Sequence, residues 1–107
     1  MNDVPRTPTR VVISEASVPR LPKHARLQLD KARGVWVILV PERVLVPDET
    51  AIEIVKMCDG VISVAGIVEA LAQKYAADRA LIGTDVIAML QDLADKGYLL
   101  DGRGAKS

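Results

Sequence analysis

Few side chains in this sequence combine the type and spacing that chemistry requires. His24 is the only histidine, with no cysteine near it in the chain. It stands on the polar side of an alternating segment, where a solvated imidazole fits better than a metal ligand or a base. Cys58 is the only cysteine, so neither an internal disulfide nor a cysteine-based zinc site can form. It falls on an apolar helical stripe, a setting for a packed thiol and not a reactive thiolate. Asp85, Asp92 and Asp95 share one predicted helix. Asp85 and Asp92 are about two turns apart, and Asp92 with Asp95 reads as a solvated helix face. Gly60, Gly66 and Gly83 are isolated, with no GxGxxG spacing and no phosphate-loop spacing. No nucleophile–base pair can be assembled, no metal or cofactor is expected, and an enzyme is the weaker reading.

What remains is a surface, and the elements that form it follow from patterning. Ala25, Leu27 and Leu29 alternate with His24, Arg26 and Gln28, as in a half-buried strand. Residues 30–34 form a loop ending in Gly34. Val35-Trp36-Val37-Ile38-Leu39-Val40 is apolar throughout and predicts a central strand covered on both faces. Glu42-Arg43-Val44-Leu45-Val46, between Pro41 and Pro47, predicts a third, short edge strand. The simplest topology is an antiparallel meander with the second strand in the middle.

The second half is helical. Asp48 can cap a helix carrying Ala51, Ile54, Val55 and Cys58, with Gly60 as its stop. Ser63 can cap a second helix with Val64, Ile67, Val68, Leu71 and Tyr75 in its stripe, and Ile62 is placed to staple onto Ile67. Residues 76–83 read as a connector. Thr84 can then cap a third helix bearing Val86, Met89, Leu90 and Leu93, with Asp85 in its favourable first turn and Gly97 as its stop. Tyr98-Leu99-Leu100 is expected to fold back onto the core. The fold class is therefore α+β, winged-helix-turn-helix-like: a three-stranded antiparallel sheet followed by a three-helix bundle. Pro5, Pro8, Pro19 and Pro22 crowd the start of the chain, so residues 1–18 are expected as a disordered tail or linker, with Val11-Val12-Ile13 able to dock. The domain spans 19–100, and 101–107 is expected to fray.

Fourteen basic residues balance fourteen acidic ones, giving no basic excess for a phosphate backbone. Residues 84–96 set three aspartates against Lys96, with Gln91 as the one amide, so a winged-helix DNA-binding regulator is the distant alternative. The N-terminus lacks a signal pattern and no apolar run reaches a membrane span, so a soluble cytoplasmic protein without membrane partners is expected. The edge strand Arg43–Val46 exposes unpaired backbone groups. It can be inert because it is short and flanked by prolines, it can pair with a second copy, or it can accept an extended peptide. On physical grounds alone, the first two rank above the third.

Several segments together resemble one family. Pro19-Arg20-Leu21-Pro22, the run Trp36-Val37-Ile38-Leu39-Val40-Pro41-Glu42-Arg43-Val44-Leu45, Cys58-Asp59-Gly60, Ile67-Val68 with Leu71, and Asp85-Val86 with Leu90 and Leu93 are similar to the PqqD family of pyrroloquinoline quinone (PQQ) biosynthesis. The resemblance covers residues 19–100. It implies a non-catalytic, winged-helix-like recognition element of ribosomally made, modified peptides. Such a protein binds the precursor peptide PqqA and presents it to the radical SAM enzyme PqqE, which cross-links a Glu and a Tyr of that peptide; a monomer or weak homodimer is expected of this chain. It further implies that the peptide adds antiparallel to the third strand and lies against the third helix. Carried onto this chain, the implied site is Arg43, Val44, Leu45 and Val46 with Asp85, Val86, Met89, Leu90 and Leu93. Periodicity does not separate the helix residues that face the groove from those that face the core.

Overall fold

The computed structural model describes residues 11–102. Three strands, β2 (Arg26–Asp30), β3 (Val35–Val40) and β4 (Arg43–Leu45), follow a two-residue strand β1 (Pro19–Arg20). They form the expected antiparallel meander, in the order β2-β3-β4. Asp30 shapes the first turn: its Oδ1 accepts from the N–H groups of Ala32 and Arg33, and Gly34 closes the loop at φ +73°. Leu27 pairs with Ile38 and Ile38 with Leu45, so these three share the face that packs on the helices. There Ile38 joins Ala25 and Val55 in a small core. The opposite face carries Val35, Leu39 and Val44 and is open at its ends, so β3 is buried on both sides only in its middle. The alternation expected from Ala25 to Leu29 also stops short, because Leu29 is exposed and Ala25 precedes the strand.

Helix α1 (Glu49–Lys56) begins where Asp48 accepts from the Ala51 N–H at 2.8 Å. It ends at Met57, not at Gly60. Gly60 does hold φ +80°, but it serves a close backbone approach: its N–H donates to Pro19 O at 2.9 Å, and a Cβ there would meet the Arg20 side chain at 3.3–3.4 Å. Helix α2 (Val64–Tyr75) is capped by Ser63 as expected and buries Val64, Ile67, Val68 and Leu71, while Tyr75 projects outward.

Helix α3 (Arg79–Asp95) starts a turn and a half before the expected cap at Thr84. Asp78 is the cap, accepting from the Ala80 N–H at 3.0 Å. Gly83, the last residue of the expected connector, is buried against Val68, and Thr84 Oγ1 donates back to Ala80 O within the helix. Asp85 is thus mid-helix, beyond the reach of the N-terminal dipole. The C-terminus follows the sequence: Gly97 at φ +84° lets its N–H reach Ala94 O and the Tyr98 N–H reach Leu93 O, a Schellman motif.

Two further features join the ends of the described chain. Strand β5 (Leu100–Asp101) pairs antiparallel with β1, seating Leu99 in the core, so Asp101 is a paired residue. Residues 103–107 lie outside the described residues. Residues 11–18 pack against the helices. Val64 and Ala65 donate to the carbonyls of Ser17 and Glu15, which satisfy the free N–H groups at the start of α2. Ile13 is buried, and Gln91 of α3 accepts from Ile13 N–H at 2.8 Å while donating to Val11 O at 2.7 Å. The Arg79 guanidinium donates to both oxygens of Glu15 and to Glu69. Residues 1–10, the rest of the expected tail, lie outside the described residues.

Candidate functional site

The edge of β4 is the surface left unfinished by this packing. Within the described residues β4 is paired on one side only, by β3. Val40 and Arg43 flank a two-residue turn, so they form a hydrogen-bonded pair. By alternation the N–H and C=O of Val44 then point away from β3. Val44 and Val46 are 51% and 56% exposed, while Leu45 turns inward toward Ile38 and Val55. The strand ends at Leu45, so Val46 extends the edge and is not part of the ladder.

Between β4 and α3 runs a groove of about 400 Å³. Val44, Leu45 and Val46 form one wall, Met89 and Leu93 the other, and Ala51 and Val55 of α1 the floor. Met89 and Leu93 are half-buried and also pack on both core clusters, so their positions are held from beneath. Val86 and Leu90 are 2% and 0% exposed and belong to the helical core. The structure thus separates the expected helix residues: Met89 and Leu93 face the groove, Leu90 lies beneath it, and Val86 reaches only the edge of a neighbouring pocket. Asp85 is exposed on that pocket. Arg43 is exposed at the start of the edge strand and makes no ion pair among the described residues.

Sequence reasoning missed the floor, Ala51 and Val55, and the groove residues Asp92 and Lys96. The i, i+3, i+4, i+7 spacing of residues 85, 86, 89, 92, 93 and 96 carried the signal, and a helix begun at Arg79 adds Ile82 to the same stripe. The groove is chiefly apolar, and its charged rim is internally balanced: Lys96 Nζ donates to Asp92 at 2.9 Å.

The histidine and the cysteine considered for chemistry both have structural partners. His24 Nε2 lies 3.0 Å from Gly97 O. Cys58 is buried with its thiol donating to Ile54 O, and desolvation, helped by the nearby Asp59 charge, pushes its pKa up to about 12. Among the described residues no group of three or more His, Cys, Asp or Glu could hold a metal ion. Likewise no described helix is long and apolar enough to cross a membrane. On the flank of α1, Glu53 accepts from Lys74 and from the Tyr75 hydroxyl, which holds its carboxyl below the ordinary range and raises the Tyr75 phenol.

The geometry is thus a strand edge with outward backbone groups beside an apolar groove. The family model described as Coenzyme PQQ synthesis protein D (PqqD) matches residues 35–99. A Rhodopseudomonas palustris (strain TIE-1) protein named PqqA binding protein is 62% identical over 96 residues, 90% of this chain and 94% of its own. In Methylorubrum extorquens (strain AM1), the bifunctional coenzyme PQQ synthesis protein C/D is 42% identical over 80% of this chain and 23% of its own length. The solution NMR structure of the PqqD truncation of Methylobacterium extorquens PqqCD, a stand-alone recognition element for ribosomally synthesized and post-translationally modified peptides, superposes with a TM-score of 0.71. It is 41% identical and covers 82% of this chain and 94% of its own.

Proposed function

The chain belongs to the PqqD family, and from that premise we propose that it is a non-catalytic adaptor that captures the precursor peptide PqqA on the free edge of β4. The observation that carries this reading is the β4 edge itself, unpaired on one side among the described residues and facing an apolar groove walled by α3. Backbone pairing to the outward groups of Val44 supplies affinity that does not depend on sequence. Val44, Leu45, Val46, Met89 and Leu93 receive alternate side chains, and Val86 and Leu90 keep α3 at its distance from the edge. Arg43 and Asp85 mark the two charged ends of the surface. In this reading the order of strands and helices is winged-helix-like, with the peptide-recognition domain over 19–100 and α3 serving a peptide where a DNA-binding relative would serve a duplex. The adaptor presents bound PqqA to the radical SAM enzyme PqqE. A relative in which the C and D functions share one chain supports a place beside other enzymes of the pathway. The free thiol of Cys58 suits the reducing cytoplasm.

Titration of the full chain with synthetic PqqA, read by amide chemical shifts, tests the proposal. Saturable shifts along residues 43–46 and 85–93 are expected. Shifts confined to the N-terminal segment, or no saturable binding, would overturn it.

A further inference from the structure

The groove-facing stripe of α3 is longer than the strand edge opposite it. From Ile82 to Lys96 the helix advances about 21 Å, whereas the three residues of β4 extend only about 10 Å. An extended peptide spanning that stripe needs about six residues, and only about three of them find a backbone partner on β4. The other half of the groove must hold its share of the peptide by side chains.

That half is an apolar pocket of about 390 Å³ between the start of α1, the end of α2 and α3. Ala51 and Met89 line both it and the β4 groove, so the two are continuous. Ile54, Leu71 and Ile82 supply its apolar lining, and its volume, at the small end for ligand sites (about 300–1,000 Å³), is enough for a side chain. Two carboxylates stand on its rim, and no cation among the described residues lines it. Asp48 spends Oδ1 on the cap of α1 and keeps Oδ2. Asp85 has neither an ion pair nor a hydrogen bond among the described residues. The β4 half of the groove differs, because its Asp92 is already neutralised by Lys96.

An apolar throat with unneutralised carboxylates at its mouth matches a long aliphatic stem ending in a cation. Resting on the adaptor reading above, we infer that this pocket receives a lysine or arginine side chain of the bound peptide. The chain direction also places that residue. β4 runs from Arg43 toward Asp48, so an antiparallel partner has its N-terminal side at the Asp48 end. The basic residue therefore precedes the stretch paired with β4.

The test is the double variant Asp48→Asn/Asp85→Asn, in which the new amide at the first position still caps α1. It is titrated beside the wild type with synthetic PqqA and with the same peptide carrying norleucine at each basic position. The expected result is about tenfold weaker binding of PqqA at low salt, with norleucine costing the wild type a similar factor and the variant nothing further. Equal affinity of variant and wild type for PqqA, with β4 amides still shifting, overturns the basic-side-chain pocket and leaves the strand dock standing. Norleucine peptides that bind the wild type as well as PqqA make the occupant apolar and overturn it too. Absence of β4 shifts in the wild type overturns both readings.

Discussion

Helix α3 has an extended segment on each flank, and the two have opposite fates. Gln91 stands about 200° around the helix from Met89, so residues 11–18 and β4 lie on opposite sides of the buried face carrying Leu90. On the Gln91 side the segment is saturated. The amide of Gln91 bonds both Ile13 N–H and Val11 O in the manner of a neighbouring strand, Ile13 fills the core, and the next carbonyls cap α2. On the Met89 side, β4 has one partner strand among the described residues and an apolar groove, and none of those residues pairs with the outward groups of Val44. An extended segment beside a helix becomes structural when that helix offers it polar partners. It stays receptive when the helix offers only apolar ones. The strap and the dock thus differ in the chemistry of two helix positions, Gln91 and Met89.

The largest effect that can break this contrast is on the strap. Ile13→Ala removes a buried side chain from the helical core and should cost about 3 kcal/mol of stability, read as a lower denaturant midpoint. Folded protein should still bind PqqA normally; a loss of binding at full folding would mean the two flanks are not independent. A smaller effect is expected at the dock. Val44→Pro deletes an outward N–H on an exposed edge residue and leaves the hydrogen-bonded pairs to β3 intact. It should weaken PqqA binding about tenfold, roughly 1.4 kcal/mol, with an almost unchanged melting curve. A variant that unfolds instead would assign Val44 to the β3 side of the ladder. This is a cleaner probe than Leu45→Asp, because Leu45 also packs on the small core of Ile38 and Val55.

The smallest effect is electrostatic. The hydrogen bonds from Arg79, and then its charge, hold the Glu15 carboxyl below its ordinary value near 4.5. A lowered folded pKa means that this contribution is present above the unfolded value and is lost as pH falls through the folded one. The pair is exposed, so the slope is shallow and salt-sensitive. Denaturant midpoints measured from about pH 5 to pH 3 should fall slightly less for Glu15→Gln than for the wild type. Identical slopes would show that the pair contributes nothing to holding the strap.

Much of this was legible in sequence, and what was legible is local. Asp48, Ser63 and Gly97 act within three to five residues of themselves, so their types sufficed to place a helix start, a second start and a stop. The turn after Asp30 and the proline-flanked edge strand are equally local, and the PqqD resemblance added to them pointed to Arg43–Val46. The start of α3 misled because Gly83 and Thr84 have the types of a breaker and a cap. Only the packing of Gly83 against Val68, from another helix, shows why a glycine sits inside. Gln91 bonds a segment some eighty residues away in the chain, which no window of periodicity can contain. The division of one helical stripe into groove residues, Met89 and Leu93, and core residues, Val86 and Leu90, is of the same kind. All four are apolar and all lie within two turns, so their side chains alone are equivalent. Where the sheet and the other helices stand around α3 decides which of them a peptide can touch.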